Sequence, residues 1–299
     1  MSEPVNIKLD TGISAPQTDQ PSASESVAID TTYRYDALRD ADVNGLSSNG
    51  RPTLVTLFGI SECGKTTFVG SLFAILCRHP QILQSTFIDS DTLTGFQRRV
   101  HTRYLSEKGI SEPPRTQRRA GNILNVVLGD GQGENQRMVV FSDLAGEIYK
   151  DAASKDDMAQ QQTAVKYADK LVIFVDTEKL LPAKNNAYKA SFQSLLTRFK
   201  DNDMLPKTAE FYLVFNKVDL VDTEEKKACW RQRKQSILDI VSPIVTVPSE
   251  NVYEICSKGI QYDNEDANLV ALFNHLIAEK TITPLLPDYN WIHNIVKEK

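Results

Sequence analysis

The sequence predicts an α/β fold with a mainly parallel six-stranded sheet, one antiparallel edge strand and helices on both faces. Two observations lead to this prediction. Short apolar runs rich in β-branched residues alternate along the chain with stretches of helical length. A glycine-framed turn lies between the first apolar run and the first helical stretch, as expected of a strand-turn-helix unit.

Six apolar runs are predicted to be buried strands. They cover residues 53–58, 123–128, 138–143, 170–176, 210–216 and 251–256. The segment GDGQGEN at 129–135 separates the second run from the third and is typical of a turn between antiparallel strands. Helical stretches separate the other runs, and helical crossovers join parallel strands. This order predicts a parallel sheet with a single antiparallel strand at its edge.

The segments that flank this pattern differ from it in composition. Residues 1–31 are rich in Ser, Pro, Thr, Asp and Gln, and such a segment buries too little surface to offset its ordering entropy. We expect residues 1–50 to be a disordered or loosely docked N-terminal extension. One domain is predicted over residues 51–280, with a helical insert at about 80–114. Residues 281–299 form a C-terminal extension whose apolar side chains should dock on the domain or on a partner.

Composition excludes several functional classes. The 299 residues carry a formal net charge of -5, so there is no broad basic field and no nucleic-acid partner is expected. The four cysteines form no C-x-x-C pair, which favours a reducing, cytoplasmic environment. No apolar run reaches the roughly 18 residues of a membrane span, and no lipidation motif predicts an anchor. The four histidines lack metal-ligand spacing.

The turn Gly59–Thr66 satisfies the pattern G-x-x-x-x-G-K-[ST] of a phosphate-binding loop. Gly59 and Gly64 allow the backbone to approach phosphate closely, so that successive N–H groups can donate to it. Lys65 offers a positive charge to the β- and γ-phosphates, and the Thr66 hydroxyl can ligate Mg²⁺. The motif predicts nucleotide contacts for Gly59, Glu62, Cys63, Gly64, Lys65, Thr66 and Thr67.

Two residues in the middle of this turn need an explanation. Glu62 and Cys63 occupy variable positions, where the backbone N–H can bind phosphate while the side chain points away. The acid therefore need not oppose the phosphate. We expect Cys63 to pack in the core; the alternative is a redox-sensitive thiol, because a helix N-terminus lowers the pKa of a thiol.

Three further motifs follow in chain order at the ends of apolar runs. They are DLAGE at 143–147, NKVD at 216–219 and CSK at 256–258. With the phosphate-binding turn, they make the sequence resemble the Ras-like P-loop GTPases over about residues 53–280. The resemblance implies a three-layer Ras-like fold that binds GTP or GDP with Mg²⁺. The long insert and the DLAGE motif also resemble bacterial double-GTPases, although only one motif set is present in this chain.

The NKVD motif indicates guanine. The Asp219 carboxylate can accept hydrogen bonds from N1–H and the 2-amino group of guanine, a pair that adenine lacks, which argues against an ATPase or a P-loop kinase. The resemblance implies that Asn216 braces the base and the phosphate turn and that the stem of Lys217 stacks over the base. It also implies that the backbone around Ser257 and Lys258 reaches the guanine oxygen.

The DLAGE motif indicates magnesium and hydrolysis. Asp143 is placed to hold Mg²⁺ through water, beside Thr66, and the backbone N–H of Gly146 can turn to the γ-phosphate. Gly146, Glu147 and Lys65 are the candidate catalytic residues. Glu147 stands where well-known members of the resembled family carry Gln. A carboxylate could polarise the attacking water, but it adds negative charge beside a triphosphate, and the alternative is pairing with a basic residue or a partner.

The resemblance also requires a threonine that closes on Mg²⁺ ahead of the second predicted strand. Thr116 is the best candidate and completes the predicted metal set with Thr66 and Asp143. Its rivals Thr92, Thr94 and Thr102 lie too far upstream.

The insert before Thr116 carries Phe96, Val100 and Tyr104 at helical spacing. Three arginines lie on its other faces: Arg98, Arg99 and Arg103. A solvated basic face is the favoured interpretation of these arginines. The alternative is an arginine supplied in cis for phosphoryl transfer, a role that would also suit Arg115.

These motifs predict a Mg²⁺-dependent GTP-binding protein that hydrolyses GTP to GDP and phosphate, slowly without a partner, and acts as a switch for a partner protein. The alternative is a catalytically weak GTP- or GDP-binding interaction subunit of a larger complex, for which Glu147 is the main argument. The expected partner is a protein effector or complex subunit, and we also consider a dimer or association with another GTPase chain.

Overall fold

The structure is a computed structural model that describes residues 36–39, 43, 46, 51–79, 83, 85–107, 121–130, 135–181, 186–258 and 267–278. Several predictions lie outside these residues: Thr116, Arg115, most of the N-terminal extension and all of the C-terminal extension. The domain boundaries therefore stay predictions.

A seven-stranded sheet forms the centre of the described chain, in the order β2-β3-β4-β1-β5-β6-β7. The strands are β1 Thr53–Phe58, β2 Thr86–Asp89, β3 Ile123–Gly129, β4 Arg137–Ser142, β5 Lys170–Asp176, β6 Glu210–Asn216 and β7 Val252–Ile255. Strand β1 pairs in parallel with β4 and β5, and the parallel pairing continues through β6 to β7. The α/β fold class and the mainly parallel sheet are confirmed.

The sheet has seven strands where six were predicted, and the additional strand, β2, forms its antiparallel edge. Strand β3 is the antiparallel strand, but β2 pairs antiparallel with it through Thr86–Gly129 and Phe87–Leu128, so β3 lies one place inside the edge. Strand β2 was not predicted because it is four residues long and largely exposed, and it therefore lacks the apolar pattern of a buried strand. It lies in the segment predicted as a helical insert.

Helices cover both faces of the sheet. Their bounds are α1 Lys65–Arg78, α2 Leu93–Glu107, α3 Gly146–Ala152, α4 Asp156–Gln160, α5 Thr163–Lys166, α6 Thr177–Leu180, α7 Asn186–Asp201, α8 Glu224–Val241 and α9 Ala267–Ile277. Successive β5 residues face opposite ways: Val172 and Phe174 join a core with α1, α2 and α9, whereas Leu171 and Ile173 join a core with α3–α8. The described elements therefore form three layers.

Helix α2, from the insert, packs directly on α1. Phe96 of α2 stacks on Phe73 of α1 with ring centroids 4.8 Å apart. A Cβ at Gly70 of α1 would lie 2.9 Å from the carbonyl oxygen of Arg99, so glycine permits this close crossing. Burial of a large apolar side chain such as Phe96 contributes about 1.5–3 kcal/mol. The helix is thus part of the core.

A short N-terminal segment, residues 36–38, lies against α2 and the start of β3. Leu38 forms an antiparallel bridge with Ile123, and its N–H donates to the Ile123 carbonyl at 2.9 Å. A Cβ at Gly95 would lie 2.7 Å from the Ala37 nitrogen, so α2 approaches this segment closely. Arg98 of α2 also forms an ion pair with Asp36.

The sheet gathers the predicted motifs at one edge. The loops that follow β1, β4, β6 and β7 all leave the carboxyl ends of parallel strands, and ligands of open α/β sheets bind at such ends. Because β1 lies between β4 and β5, the phosphate-binding turn is central in this row of loops. Among the helices described here, none is long and apolar enough to cross a membrane.

Candidate nucleotide-binding site

The turn between β1 and α1 has the backbone conformation of a phosphate-binding loop. Gly59 has φ 154° and Gly64 has φ 93°, values that residues with a Cβ rarely adopt. A Cβ at Gly59 would lie 2.8 Å from the Phe174 carbonyl oxygen, and one at Gly64 would overlap the amide nitrogen of Asn216. Both positions therefore require glycine for conformation and for space.

Helix α1 begins at Lys65 and points its N-terminus at this turn. The first N–H groups of a helix have no intrahelical partner and carry the positive end of the helix dipole. Gly64 supplies no side-chain cap, and the first turn of α1 contains no acidic residue. The N–H groups of Thr66 and Thr67 belong to this first turn. The arrangement suits phosphate binding.

The Lys65 ammonium lies inside the turn. Its Nζ donates to the Gly59 carbonyl at 2.7 Å and lies 5.4 Å from the centre of the Tyr149 ring. Tyr149 is fully buried, and its hydroxyl donates to the Leu57 carbonyl at 2.9 Å. The charge of Lys65 is therefore held at the mouth of the loop by carbonyl oxygens and by an aromatic face.

Two oxygen ligands suited to magnesium meet beside Lys65. The Thr66 hydroxyl donates to Oδ1 of Asp143 at 3.2 Å, and Asp143 is completely buried. Mg²⁺ is usually held by one or two protein oxygens together with phosphates and water, and this pair fits that pattern. In the part of the chain that the structure describes, no group of three His, Cys, Asp or Glu side chains forms an all-protein metal centre. Thr116 lies outside the described residues and stays a prediction.

Arg99 of α2 also contacts this carboxylate. Its Nε donates to Oδ2 of Asp143 at 2.8 Å, and the guanidinium is buried. The expectation of a solvated basic face is wrong for Arg99, because α2 packs on α1 with this residue turned inward. Arg98 is exposed, as a solvated face requires. The other arginine role considered, in cis phosphoryl transfer, stays a prediction.

The DLAGE segment passes close to the phosphate-binding turn. Helix α3 begins at Gly146, and a Cβ there would overlap the backbone of Ser61. Glycine thus permits the two loops to touch. Glu147 is half-buried in the first turn of α3, where the helix dipole favours an acid. The catalytic roles of Gly146 and Glu147 stay predictions.

Asn216 connects three of the converging loops. Its Nδ2 donates to the Cys63 carbonyl at 2.8 Å, and its Oδ1 accepts the Ser257 N–H at 2.8 Å. The side chain is almost completely buried. Asn216 therefore ties the phosphate-binding turn to the loops after β6 and β7. Its expected contact with the base stays a prediction.

Lys217 and Asp219, which follow β6, lie in different environments. Lys217 has φ 66°, and its Nζ lies 2.9 Å from carboxylate oxygens of both Asp176 and Glu178. Burial acts to lower the pKa of Lys217, but the two carboxylates outweigh it and raise the pKa. Asp219 is exposed in a 3₁₀ turn over Val218–Leu220, and none of the described residues donates a hydrogen bond to its side chain.

The loop after β7 supplies one buried and one exposed residue. The Ser257 carbonyl accepts the Ser71 hydroxyl at 2.5 Å, so this loop is attached to α1. The Ser257 hydroxyl is buried, with no hydrogen-bond partner among the described residues. Lys258 is exposed. The loop after β7 is thus attached both to α1 and to Asn216.

The two variable residues of the turn point away from its mouth. The Glu62 carboxylate forms an ion pair with Lys179 of α6 at 2.9 Å, and Glu62 has φ 69°. Cys63 is completely buried, and burial raises the pKa of its thiol, an effect that Lys65 offsets only in part. Cys63 therefore packs, as expected, and the redox-sensitive alternative is not supported.

Sequence reasoning missed three residues that contact the site: Tyr149, Asp176 and Lys179. It named Arg99 in the insert but did not predict its contact with Asp143. Asp176 had a usable signal, because it ends an apolar run next to the strand that carries the phosphate turn. Burial raises its pKa, which Lys217 partly offsets. Tyr149 and Lys179 carry no local signal, since their contacts are made by elements distant in sequence.

Comparison with known proteins places the chain in a family. A family model described as Double-GTPase 2 matches residues 53–261. The chain is also similar to a crystal structure of bacterial selenocysteine-specific elongation factor EF-Sec, with 13% identity and a TM-score of 0.36 over 70% of this chain and 26% of that one. It thus spans about a quarter of the elongation factor's length. A comparison with curated proteins gave no match. Because the family model matches more than two thirds of the chain's residues, the chain belongs to the Double-GTPase 2 family.

Proposed function

We propose that this chain is a Mg²⁺-dependent GTP-binding protein that hydrolyses GTP to GDP and phosphate and acts as a nucleotide-controlled switch for a partner protein. The observation that carries the proposal is the convergence of four motif loops, with Asn216 bonded to both Cys63 and Ser257. A structural role for any one motif would not require the other three to meet at the same edge of the sheet.

The phosphate-binding turn and α1 bind the polyphosphate. The first N–H groups of α1 donate to phosphate oxygens, and Lys65 adds a charge-assisted contact. Thr66 and Asp143 are the residues that hold Mg²⁺. The bound ion neutralises charge on the β- and γ-phosphates, which assists phosphoryl transfer.

The base side selects guanine. Asp219 accepts hydrogen bonds from N1–H and the 2-amino group, and a carboxylate facing adenine would lose both. Lys217, held by Asp176 and Glu178, lays its stem over the base. The backbone near Ser257 and Lys258 completes the base site.

The reaction takes place beside the DLAGE segment. Gly146 directs its N–H at the γ-phosphate, and Glu147 orients and polarises the attacking water. The γ-phosphate orders Thr116 and the segment 143–150, and hydrolysis releases them, so a partner can distinguish the two states. Turnover is slow until a partner acts. The partner is a protein effector or another GTPase chain.

A second candidate function rests on Glu147. Its negative charge beside a triphosphate suits a subunit that holds GTP or GDP for interaction and turns it over negligibly. Single-turnover phosphate release from the GTP-loaded chain separates the two functions. A rate equal to that of GTP in buffer alone would identify the binding subunit.

The first test is equilibrium binding of a fluorescent GDP analogue by the full chain in the presence of Mg²⁺. We expect GTP and GDP to compete with the analogue and ATP to fail at the same concentration. Absence of analogue binding at millimolar supply, or equal competition by ATP, would overturn the proposed function.

A further inference from the structure

The two oxygens of the Asp143 carboxylate have partners from different elements. Oδ1 accepts the Thr66 hydroxyl at 3.2 Å, on the side of the phosphate-binding turn. Oδ2 accepts Nε of Arg99 at 2.8 Å, on the side of the insert helix α2. The carboxylate that would hold the metal is therefore already neutralised by a cation of the protein itself.

The guanidinium is fixed where it lies. Besides Nε, its other nitrogens donate to the Gly95 carbonyl at 3.1 Å and to the Gly121 carbonyl at 3.4 Å. The side chain is 8% exposed and Asp143 is fully buried. The close crossing at Gly70 holds the backbone of Arg99 against α1. The Arg99 guanidinium therefore cannot turn into solvent, where water would screen its charge, unless α2 moves.

A fixed cation on the carboxylate opposes a second cation. Mg²⁺ approaching Asp143 meets a neutral ion pair rather than a net negative charge, and the guanidinium repels it. Even at the dielectric constant of bulk water, a unit charge a few ångströms from a divalent ion changes its affinity by about tenfold. The buried position makes screening by salt weaker than at the surface.

We propose that Arg99 is a built-in counter-cation that weakens Mg²⁺ binding at Thr66 and Asp143, so that the Mg²⁺ concentration controls how long nucleotide is retained. This inference rests on the proposed function, since it concerns the same metal. Arg99 acts through Asp143 and has no contact with nucleotide in this scheme. Helix α2 thereby sets the Mg²⁺ affinity of the site from the side of Asp143 opposite the phosphate-binding turn.

The test measures release of a fluorescent GDP analogue from the full chain over a range of free Mg²⁺. For Arg99→Gln, which removes the charge, we expect the half-saturating Mg²⁺ concentration to fall about tenfold. Arg99→Lys keeps a cation and should stay near the native value. Arg98→Gln is the matched control, because it removes an exposed charge one residue away. A half-saturating concentration that is unchanged or higher in Arg99→Gln overturns the proposal.

Loss of Arg99 leaves a buried carboxylate without its cation, and Arg99→Gln therefore needs a second measurement that does not depend on its folding. In the native protein bound to GDP, the side-chain Nε–H NMR resonance of Arg99, identified by its absence in Arg99→Lys, should shift when Mg²⁺ is added. The shift is expected because the metal withdraws charge from the shared carboxylate. A resonance that does not respond to Mg²⁺ contradicts the proposal.

Failure of this inference is distinguishable from failure of the proposed function. A native chain that binds no guanine nucleotide overturns the proposed function. A native chain that retains nucleotide in a Mg²⁺-dependent way, with Arg99→Gln matching it, overturns only the role of Arg99.

Discussion

Two aspartates of the candidate site lie in opposite environments. Asp143 lies with Thr66 on the side of the predicted metal ligands, the metal side, and Asp219 lies in the NKVD motif, the base side. Asp143 is fully buried and shared between Thr66 and Arg99. Asp219 is exposed and accepts no hydrogen bond from the described residues. A carboxylate whose partners are supplied by the fold has its ligand affinity set by the protein, whereas one without such partners is available to the ligand. If the proposed function is right, we therefore expect the side of Asp143 to set the strength of metal binding and the side of Asp219 to set the selectivity for the base.

The largest expected change in nucleotide affinity comes from removing the Lys65 ammonium of the phosphate-binding turn. Lys65→Ala should weaken binding of the fluorescent GDP analogue by about a thousandfold, about 4 kcal/mol, because it deletes a charge-assisted phosphate contact held inside the turn. Isothermal titration calorimetry or fluorescence titration measures the change. Lys207→Ala, at an exposed lysine away from the motif loops, is the control and should bind like the native chain. Equal affinity of the two variants would remove the turn from the site.

The base side is tested by replacing the Asp219 carboxylate, which only accepts hydrogen bonds, with an amide, which also donates them. Asp219→Asn should lower GTP affinity about a hundredfold and raise XTP affinity, because the amide can donate to the xanthine oxygen that replaces the guanine amino group. Asp222→Asn lies in the same loop, where Asp222 pairs with Lys226 on the surface, and should change neither affinity. Competition of GTP and XTP against a common fluorescent nucleotide provides the readout.

Asn216 connects the base side to the phosphate turn, and its loss should lower stability. Asn216→Ala leaves the buried Cys63 carbonyl and Ser257 N–H without their present partner, at about 2 kcal/mol in the free energy of unfolding. Denaturant unfolding measures this change in the free energy of unfolding. Asn202→Ala, which removes hydrogen bonds at a more exposed site, should lose about 1 kcal/mol or less. A larger loss at Asn202 would contradict a special connecting role for Asn216.

The smallest expected effect concerns Glu147. Glu147→Ala should slow single-turnover hydrolysis about tenfold, below the range typical of a general base, because the carboxylate is half-exposed and also repels the phosphates. Glu147→Gln should keep more of the rate, since an amide still orients water. Nucleotide affinity serves as the internal control and should change little. Hydrolysis that is the same in all three proteins would assign Glu147 to a non-catalytic role.

The candidate site was predictable where its parts are local. Gly59, Gly64 and Lys65 are close in sequence, and the spacing alone specifies a turn whose N–H groups face inward. Asp143 and Asn216 each end a predicted strand, Asp219 follows Asn216 in the same motif, and parallel topology brings such strand ends together. The ion pair of Glu62 with Lys179 could not be predicted, because a separation of 117 positions leaves no pattern in the sequence.

The fold, like the candidate site, was predictable where its elements carry a local sequence pattern. Strands β5 and β6 are continuous apolar runs because both of their faces are buried, so composition identifies them. Strand β2 has three exposed residues of four, and only its pairing with residues 127–129 of β3 makes it a strand. Hydrogen bonding to a neighbour, rather than side-chain burial, defines such an edge strand, and sequence periodicity does not report it.

The sequence by itself determined the class of the molecule: the order of the six apolar strands along the chain, the phosphate turn and the NKVD motif all follow from short-range residue patterns. Only the tertiary structure decided that Arg99 lies on Asp143 and that Asn216 joins three loops. The physical reason is the range of the interactions. Backbone conformation and burial act within a few residues, whereas charge pairing in a buried site depends on which helices and strands are packed side by side.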